Sequence, residues 1–241
     1  MMTERFTDIL RVCAEALHID LTDRELARFT KYADLLVEWN AKINLTAITE
    51  DEDIAKKHIL DSLTVLEAGI KEDAAVIDVG TGAGFPGLPL AIHREDVEVT
   101  LLDSLNKRVN FLQAVIDTLE LPNVRAVHAR AEEAARDGAH RERYDVAVAR
   151  AVARAPVVFE YLLPFAKVGG KAVAMKGKSA DEEREEAAKV VRTLGGAPIR
   201  AVPVRIPTLD DARTLLIAEK TSKTPKTYPR KAGTASRSPI V

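Results

Sequence analysis

The chain has 241 residues, 46 % hydrophobic and 30 % charged, a composition that buries a core and excludes disorder along the whole length. No apolar run approaches the ~20 residues a membrane-spanning helix requires, and Met1-Met2-Thr3-Glu4-Arg5 leads into an amphipathic stretch instead of a signal sequence, so the expected location is the cytoplasm. A single cysteine, Cys13, excludes an internal disulfide and a cysteine-based zinc cluster.

Residues 1–67 read as a helical N-terminal region. Apolar spacing predicts helices over 3–17, 22–39 and 51–67, with Thr22-x-x-Glu25 and Thr49-x-x-Glu52 as capping boxes and Leu26, Phe29, Ala33, Leu36 and Val37 on one face. From residue 68 to 220 the pattern changes. Short β-rich runs at 75–79, 97–102, 124–127, 144–148 and 171–175 alternate with helix candidates at 87–94, 106–120, 156–166 and 180–194. This alternation predicts a doubly wound, Rossmann-like α/β domain with a mostly parallel sheet. Two further strands, 201–206 and 213–218, have no helix between them and are expected to form an antiparallel pair at one edge. A parallel sheet finished in this way differs from an ordinary dinucleotide fold and suits the class I S-adenosylmethionine (SAM) methyltransferases.

The formal net charge of −2 conceals an asymmetry. The last stretch carries Lys220, Lys223, Lys226, Arg230, Lys231 and Arg237 without an acid, so 220–241 sums to +6 and the remainder to −8. Residues 221–241 therefore read either as a basic arm that meets a polyanion or as a solvated tail, and Tyr228 among the cations favours RNA because an aromatic ring stacks on an unpaired base.

The chemistry concentrates in Val76-Ile77-Asp78-Val79-Gly80-Thr81-Gly82-Ala83-Gly84-Phe85-Pro86-Gly87, a strand running into a glycine-rich turn and a helix. Glycines permit a tight turn and close approach of backbone to a ligand, which points to a nucleoside cofactor. Asp103, at the end of the second strand and followed by Ser104, suits the two ribose hydroxyls; alone it does not separate NAD from SAM. Ala131 and Glu132 follow the third strand, where backbone amides and a carboxylate can read an adenine edge. Arg150 follows the fourth strand at the carboxyl edge of the sheet, placed to orient the cofactor carboxylate or a substrate phosphate. Lys107, Arg108, Arg154, Lys176 and Lys178 also follow strand ends and predict a cationic rim for RNA, joined by Lys226, Tyr228, Arg230 and Lys231 of the arm.

What is missing narrows the reaction. Cys13 lies far in sequence from the glycine turn, which disfavours a thiolate mechanism at cytosine C5. The fourth strand ends in Ala149-Arg150-Ala151-Val152, not in the Asn-Pro-Pro-Tyr type of sequence that accompanies exocyclic amine methylation. His18, His58, His93, His128 and His140 are scattered without metal-ligand spacing, so no metal is expected. No acid-base catalytic residue stands out.

Six segments together resemble the bacterial RsmG (GidB) family: residues 39–46, 58–63, 78–87, 103–108, 149–153 and 224–234. The resemblance runs from about residue 35 onward. It implies a SAM-dependent methyltransferase acting on guanine N7 in the 530 loop of 16S rRNA, near the decoding centre, with rRNA or a small-subunit particle as partner. It also implies Gly80, Phe85, Ala131, Glu132 and Arg150 as cofactor contacts, with Asp103 at the ribose and Asp78, Gly82, Gly84 and Ser104 beside them. The rival readings are a SAM methyltransferase of a small molecule or protein, and a SAM-sensing RNA-binding module without activity.

Overall fold

The computed structural model describes residues 2–241. Helices α1 (Glu4–Ala16) and α2 (Asp23–Ile43) form where the apolar spacing predicts them. The Thr22 box is present in both directions: Thr22 Oγ1 accepts from Glu25 N at 3.2 Å and Glu25 Oε2 accepts from Thr22 N at 2.7 Å. α2 continues past Trp39 to Ile43 and stops at Asn44 in the left-handed region (φ 48°), where Asn40 Oδ1 accepts from Leu45 N and Thr46 N.

The second expected box does not form. The cap falls on Glu50, which makes no side-chain cap bond, and Glu52 instead pairs with Lys56 and Arg5, each at 2.6 Å. The stretch 51–68 is helical but irregular: α3 (Asp51–Asp53), a π-helical run Ile54–Leu60, α4 (Asp61–Leu63) and a 3-10 run Thr64–Ala68. Wide turns of this kind are rare and concentrate near functional sites.

Seven strands follow: β1 (Ala75–Val79), β2 (Glu98–Asp103), β3 (Val124–His128), β4 (Tyr144–Arg150), β5 (Ala166–Lys176), β6 (Arg200–Val204) and β7 (Arg213–Glu219). The helices among and after them are α5 (Gly87–His93), α6 (Asn106–Leu119), α7 (Ala131–Ala134), α8 (Ala155–Leu162), α9 (Ala180–Glu186), α10 (Ala188–Thr193) and α11 (Thr234–Arg237). The order is β3-β2-β1-β4-β5-β7-β6, with the first five strands parallel and β7 antiparallel to both its neighbours. The hairpin pairs as expected, yet only β7 runs against the sheet, because it inserts between β5 and β6. α8 ends at Leu162, earlier than its apolar run, because Ala166 already opens β5. The helix expected over 180–194 is broken at Ala187 into two.

Alternating strand residues serve two cores. Val76, Val99, Leu101, Val148 and Val173 pack with Phe6, Leu10, Phe29, Leu36 and Ile59, so the N-terminal helices form one layer over the sheet. Ile77, Leu102, Ala147 and Ala174 pack with Phe159, Leu162 and Phe165 on the other side. Order reverses between β1 and β4, the switch point at which open α/β sheets bind ligands.

The basic stretch is not a free arm, which corrects one expectation. Lys220 is buried, with its ammonium donating to Leu163 O (2.7 Å) and to Thr224 Oγ1. Arg230 forks onto the buried Glu160 at 2.6 Å, and Arg141 donates to the carbonyls of Tyr228 (2.8 Å) and Thr224 (2.9 Å). The segment packs across the domain because its backbone carbonyls and two of its cations are consumed by internal partners. Lys226 and Lys231 remain exposed and Tyr228 is half-buried.

Candidate functional site

β1 delivers the chain into the glycine turn, and β2 holds that turn in place: Leu102 O accepts from Gly80 N at 2.8 Å and from Thr81 N at 3.1 Å. Gly80 sits at φ +70°, and a Cβ there would stand 3.0 Å from Val152 Cγ2, so any side chain at this position is strained in the dihedral and crowds Val152. Gly87 has a different reason. A Cβ on it would lie 2.4 Å from Leu101 Cδ2 and 2.9 Å from Asp78 Oδ2, so the first turn of α5 packs directly on the strands.

Asp78 ties the two ends of the turn together. Its Oδ2 accepts from Thr81 Oγ1 (2.6 Å) and Gly87 N (2.8 Å), while Oδ1 is buried without a partner. Burial pushes its carboxyl up to about 6, against the pull of those hydrogen bonds and of Arg150. It is fully buried and acts beneath the site, which corrects its expected place among the cofactor contacts.

A cleft of about 220 Å³ opens at the carboxyl ends of β1, β2 and β3. Gly80, Asp103, Ser104, Ala131 and Glu132 line it, so five of the residues expected at the cofactor are brought together there. Asp103 is nearly buried; its Oδ2 accepts from Gly82 N and its Oδ1 from Leu105 N, both at 2.9 Å. One carboxylate thus shapes the glycine turn and the entry to α6 while facing the cleft. Tyr161, Gly233 and Ser236 complete the wall, with Gly233 N donating to Glu132 Oε1 at 2.8 Å. Periodicity gives no reason to expect these three; the one local signal is Gly233, in a left-handed turn (φ +74°) at the head of α11.

Gly82, Gly84 and Phe85 do not line this cleft. Phe85 is buried, its ring stacked on His58 at 4.4 Å and tilted against Tyr32 at 5.5 Å, with the Arg150 guanidinium 4.7 Å from its centroid. Tyr32 OH donates to Ala83 O, so helix α2 grips the turn from behind.

Arg150 is directed elsewhere. Its Nη1 donates to Asp61 Oδ2 (2.8 Å) and Lys57 O (3.0 Å), and its Nη2 donates to His58 Nδ1 (3.2 Å). The imidazole Nε2–H then donates to Thr46 Oγ1 at 2.8 Å. Burial, reinforced by the Arg150 charge, lowers His58 to about 4, so the ring is neutral with both nitrogens engaged. Arg150 lines a second pocket, of about 440 Å³, across the ends of β4, β5 and β7.

The expected cationic rim divides. Lys107 and Lys178 are exposed, and Arg108 lies 3.5 Å from Asp103. Arg154 is held by Glu182 (3.0 Å) and Glu186 (2.7 Å). Lys176 is paired with the buried Glu183 at 2.7 Å, and Arg230 is consumed by Glu160; these two are corrected from RNA contacts to internal ion pairs. Among the described residues no group of three or more His, Cys, Asp or Glu side chains is placed to hold a metal, and no helix is long and apolar enough to cross a membrane.

Residues 25–208 match the family model described as rRNA small subunit methyltransferase G. The chain is 47 % identical over 237 residues to the ribosomal RNA small subunit methyltransferase G of Clostridium perfringens, covering 98 % of this chain and 99 % of that one. It is 47 % identical over 235 residues to the protein of the same name from Desulforamulus reducens, covering 97 % and 98 %. Among solved structures, a putative S-adenosyl-L-methionine-dependent methyltransferase from Methanococcus maripaludis aligns with a TM-score of 0.54 at 15 % identity, over 80 % of this chain and 94 % of that one. P. horikoshii TYW2 in complex with MeSAdo aligns with a TM-score of 0.53 at 16 % identity, over 68 % and 63 %. The structural matches establish the methyltransferase fold, and the sequence matches establish the lineage: the chain belongs to the rRNA small subunit methyltransferase G (GidB) family.

Proposed function

We propose that this enzyme transfers the methyl group of SAM to N7 of a guanine in the 530 loop of 16S rRNA, acting in the cytoplasm on the rRNA or on a small-subunit particle. The observation that carries this reading is a switch-point cleft, lined by Gly80 and edged by the carboxylates of Asp103 and Glu132, in a chain of the methyltransferase G family.

The residues present fit SAM. Gly80 leaves a side-chain-free floor for the methionine portion, and Asp103 has acceptor capacity beyond its two amide bonds for ribose hydroxyls. Ala131 and Glu132 stand at the start of α7 beside the adenine position. When bound, SAM supplies an electrophilic methyl group on a positively charged sulfur.

The protein's share of the chemistry is placement. Guanine N7 carries a free lone pair and loses no proton on methylation, so no general base is required. The two groups by the clefts whose burial shifts their titration most are not available as bases. His58 is neutral with both nitrogens occupied, and Asp78 is sealed under the glycine turn. Holding the reacting atoms in line supplies roughly 7–11 kcal/mol at best.

The test is methylation of 30S particles and of naked 16S rRNA with labelled SAM, followed by mapping of the modified base. A 7-methylguanine in the 530 loop is the expected product. Label on another base, on protein or on a small molecule, or no transfer at all, would overturn the reading.

A further inference from the structure

Two clefts open along the carboxyl edge of the sheet, and they meet at the turn Arg150-Ala151-Val152 that ends β4. Val152 lies in the wall of the first cleft, against Gly80, while Arg150 and Ala151 lie in the wall of the second. A reaction joining a ligand in each has its transfer point there.

The second cleft, at about 440 Å³, falls within the range of roughly 300–1,000 Å³ that holds a single small ligand. Met175, Leu215 and Val204 give it apolar surface, and Asp61, Arg150 and Arg213 converge on it. Asp61 is almost fully buried, with Oδ2 accepting from Arg150 at 2.8 Å and Oδ1 from Arg213 Nε at 2.9 Å. The three come from α4, β4 and β7, segments brought together only by the fold. Burying such a cluster is a poor way to gain stability, since desolvation of each ion offsets most of the attraction. Arg213 lines the pocket with its side chain 23 % exposed; beyond the bond to Asp61 its Nη1 donates to Ala212 O at a long 3.3 Å and its Nη2 lies 3.6 Å from the exposed Asp211, weaker partners that a ligand can replace.

We propose that this second pocket receives the acceptor nucleotide of the RNA as one base turned out of its loop, and that Arg213 and Asp61 read that base as guanine. The inference rests on the assignment of guanine N7 made above. Enzymes that modify a base take it out of its stack into a pocket of this size. Guanine presents O6, an acceptor, beside N1–H and N2–H, which are donors. A guanidinium only donates and an ionised carboxylate only accepts, so the pair matches O6 with Arg213 and N1–H or N2–H with Asp61. Adenine presents the reverse order, a donor at N6 and an acceptor at N1, and meets two mismatches.

This mode of reading leaves N7 free. The N7 lone pair forms the new bond to the methyl carbon while the carbon–sulfur bond breaks and its electron pair stays on sulfur, so the positive charge passes from sulfur to the base and no proton moves. A carboxylate against the base favours the charge that develops there. Asp61 therefore acts twice, on recognition and on the charge of the product.

Gly177 offers a test that does not disturb the ion cluster. It lines the second pocket, its φ is not left-handed, and a Cβ on it would meet only Ala212 O at 3.8 Å. Gly177→Phe is expected to fill the pocket in a folded protein, lowering kcat/KM on 30S particles by about tenfold or more while SAM affinity by calorimetry stays within about twofold. Arg213→Ala should lower kcat/KM by about 10- to 100-fold, the effect of one charged hydrogen bond, with SAM affinity again unchanged. Undiminished methylation of the correct guanine by Gly177→Phe would overturn the pocket while the N7 assignment stands. A fall in SAM affinity parallel to the loss of activity in both variants would also overturn it. If the parent modified a base other than guanine, the N7 assignment would fall, and the reading by Arg213 and Asp61 with it.

Discussion

The two clefts are built by opposite means. The first is built around backbone, the glycine turn after β1 and the ends of β2 and β3, with the residues expected at the cofactor lying between Gly80 and Glu132 and only its outer wall, Val152, Tyr161, Gly233 and Ser236, coming from later in the chain. The second is made of side chains from the helical run 54–63, from the ends of β4 and β5, and from β7, with Asp61 and Arg213 separated by 152 positions. Their charge differs too, with Asp103 and Glu132 edging one and Arg150 and Arg213 facing the other. A site made of backbone must write its needs into local sequence, as glycine where no Cβ fits. A site made of distant side chains leaves no such mark.

The largest effect is expected in the C-terminal segment that leads into the wall of the first cleft. Arg230→Ala strips the fork from Glu160, which is 1 % exposed, and an uncompensated buried charge costs about 3–5 kcal/mol. The exposed Lys231→Ala should stay within about 0.5 kcal/mol. Chemical denaturation of both variants checks the contrast, and similar values for the two would restore the free basic arm.

Gly80→Val sharpens the comparison from inside the first cleft. The strained φ of +70° and the 3.0 Å approach to Val152 predict a loss of SAM affinity of more than a hundredfold, equivalent to about 2.8 kcal/mol, with the cationic second pocket left in place. Calorimetry on the folded variant decides it. Unchanged affinity would move the cofactor out of this cleft.

His58, which supports the second cleft, supplies the smallest effect. Its pKa is lowered from 6.5 to about 4, first by burial and then by Arg150. Between those values the unfolded chain binds the proton and the folded chain does not, so stability is present above pH 6.5 and is lost as pH falls toward 4. From pH 7 to pH 5 the loss is about 2 kcal/mol. Asp78 opposes it, since a carboxyl raised to about 6 holds its proton longer in the folded state and stability falls as pH rises from 3.8 to 6. The His58 share is therefore read as the difference in slope between the parent and His58→Gln. Equal slopes would show that the imidazole titrates as an exposed one does.

Much of the fold is visible in the chain because period and punctuation are local. Near-continuous apolar runs at 75–79 and 144–148 specify strands buried on both faces, and the Thr22 box marks the start of α2 in four residues. The π-helical run at 54–60 is not visible, since its wide turns break the helical period. The Thr49 box fails because Lys56 and Arg5 compete for Glu52, and Arg5 arrives from another helix.

The same division holds at the sites. The sequence by itself determined the sheet, the glycine turn and the carboxylate after β2, because a backbone that must turn tightly beneath a ligand admits few residue types. Tertiary structure alone decided where the charges went. It turned Arg150 from the first cleft to Asp61, spent Lys176 on Glu183 and Arg230 on Glu160, and folded the basic segment into the wall beside Glu132. The reason is electrostatic: whether a guanidinium or ammonium is free to meet a ligand depends on which carboxylate the fold brings within hydrogen-bond reach, and that distance in space is not recorded in the distance along the chain.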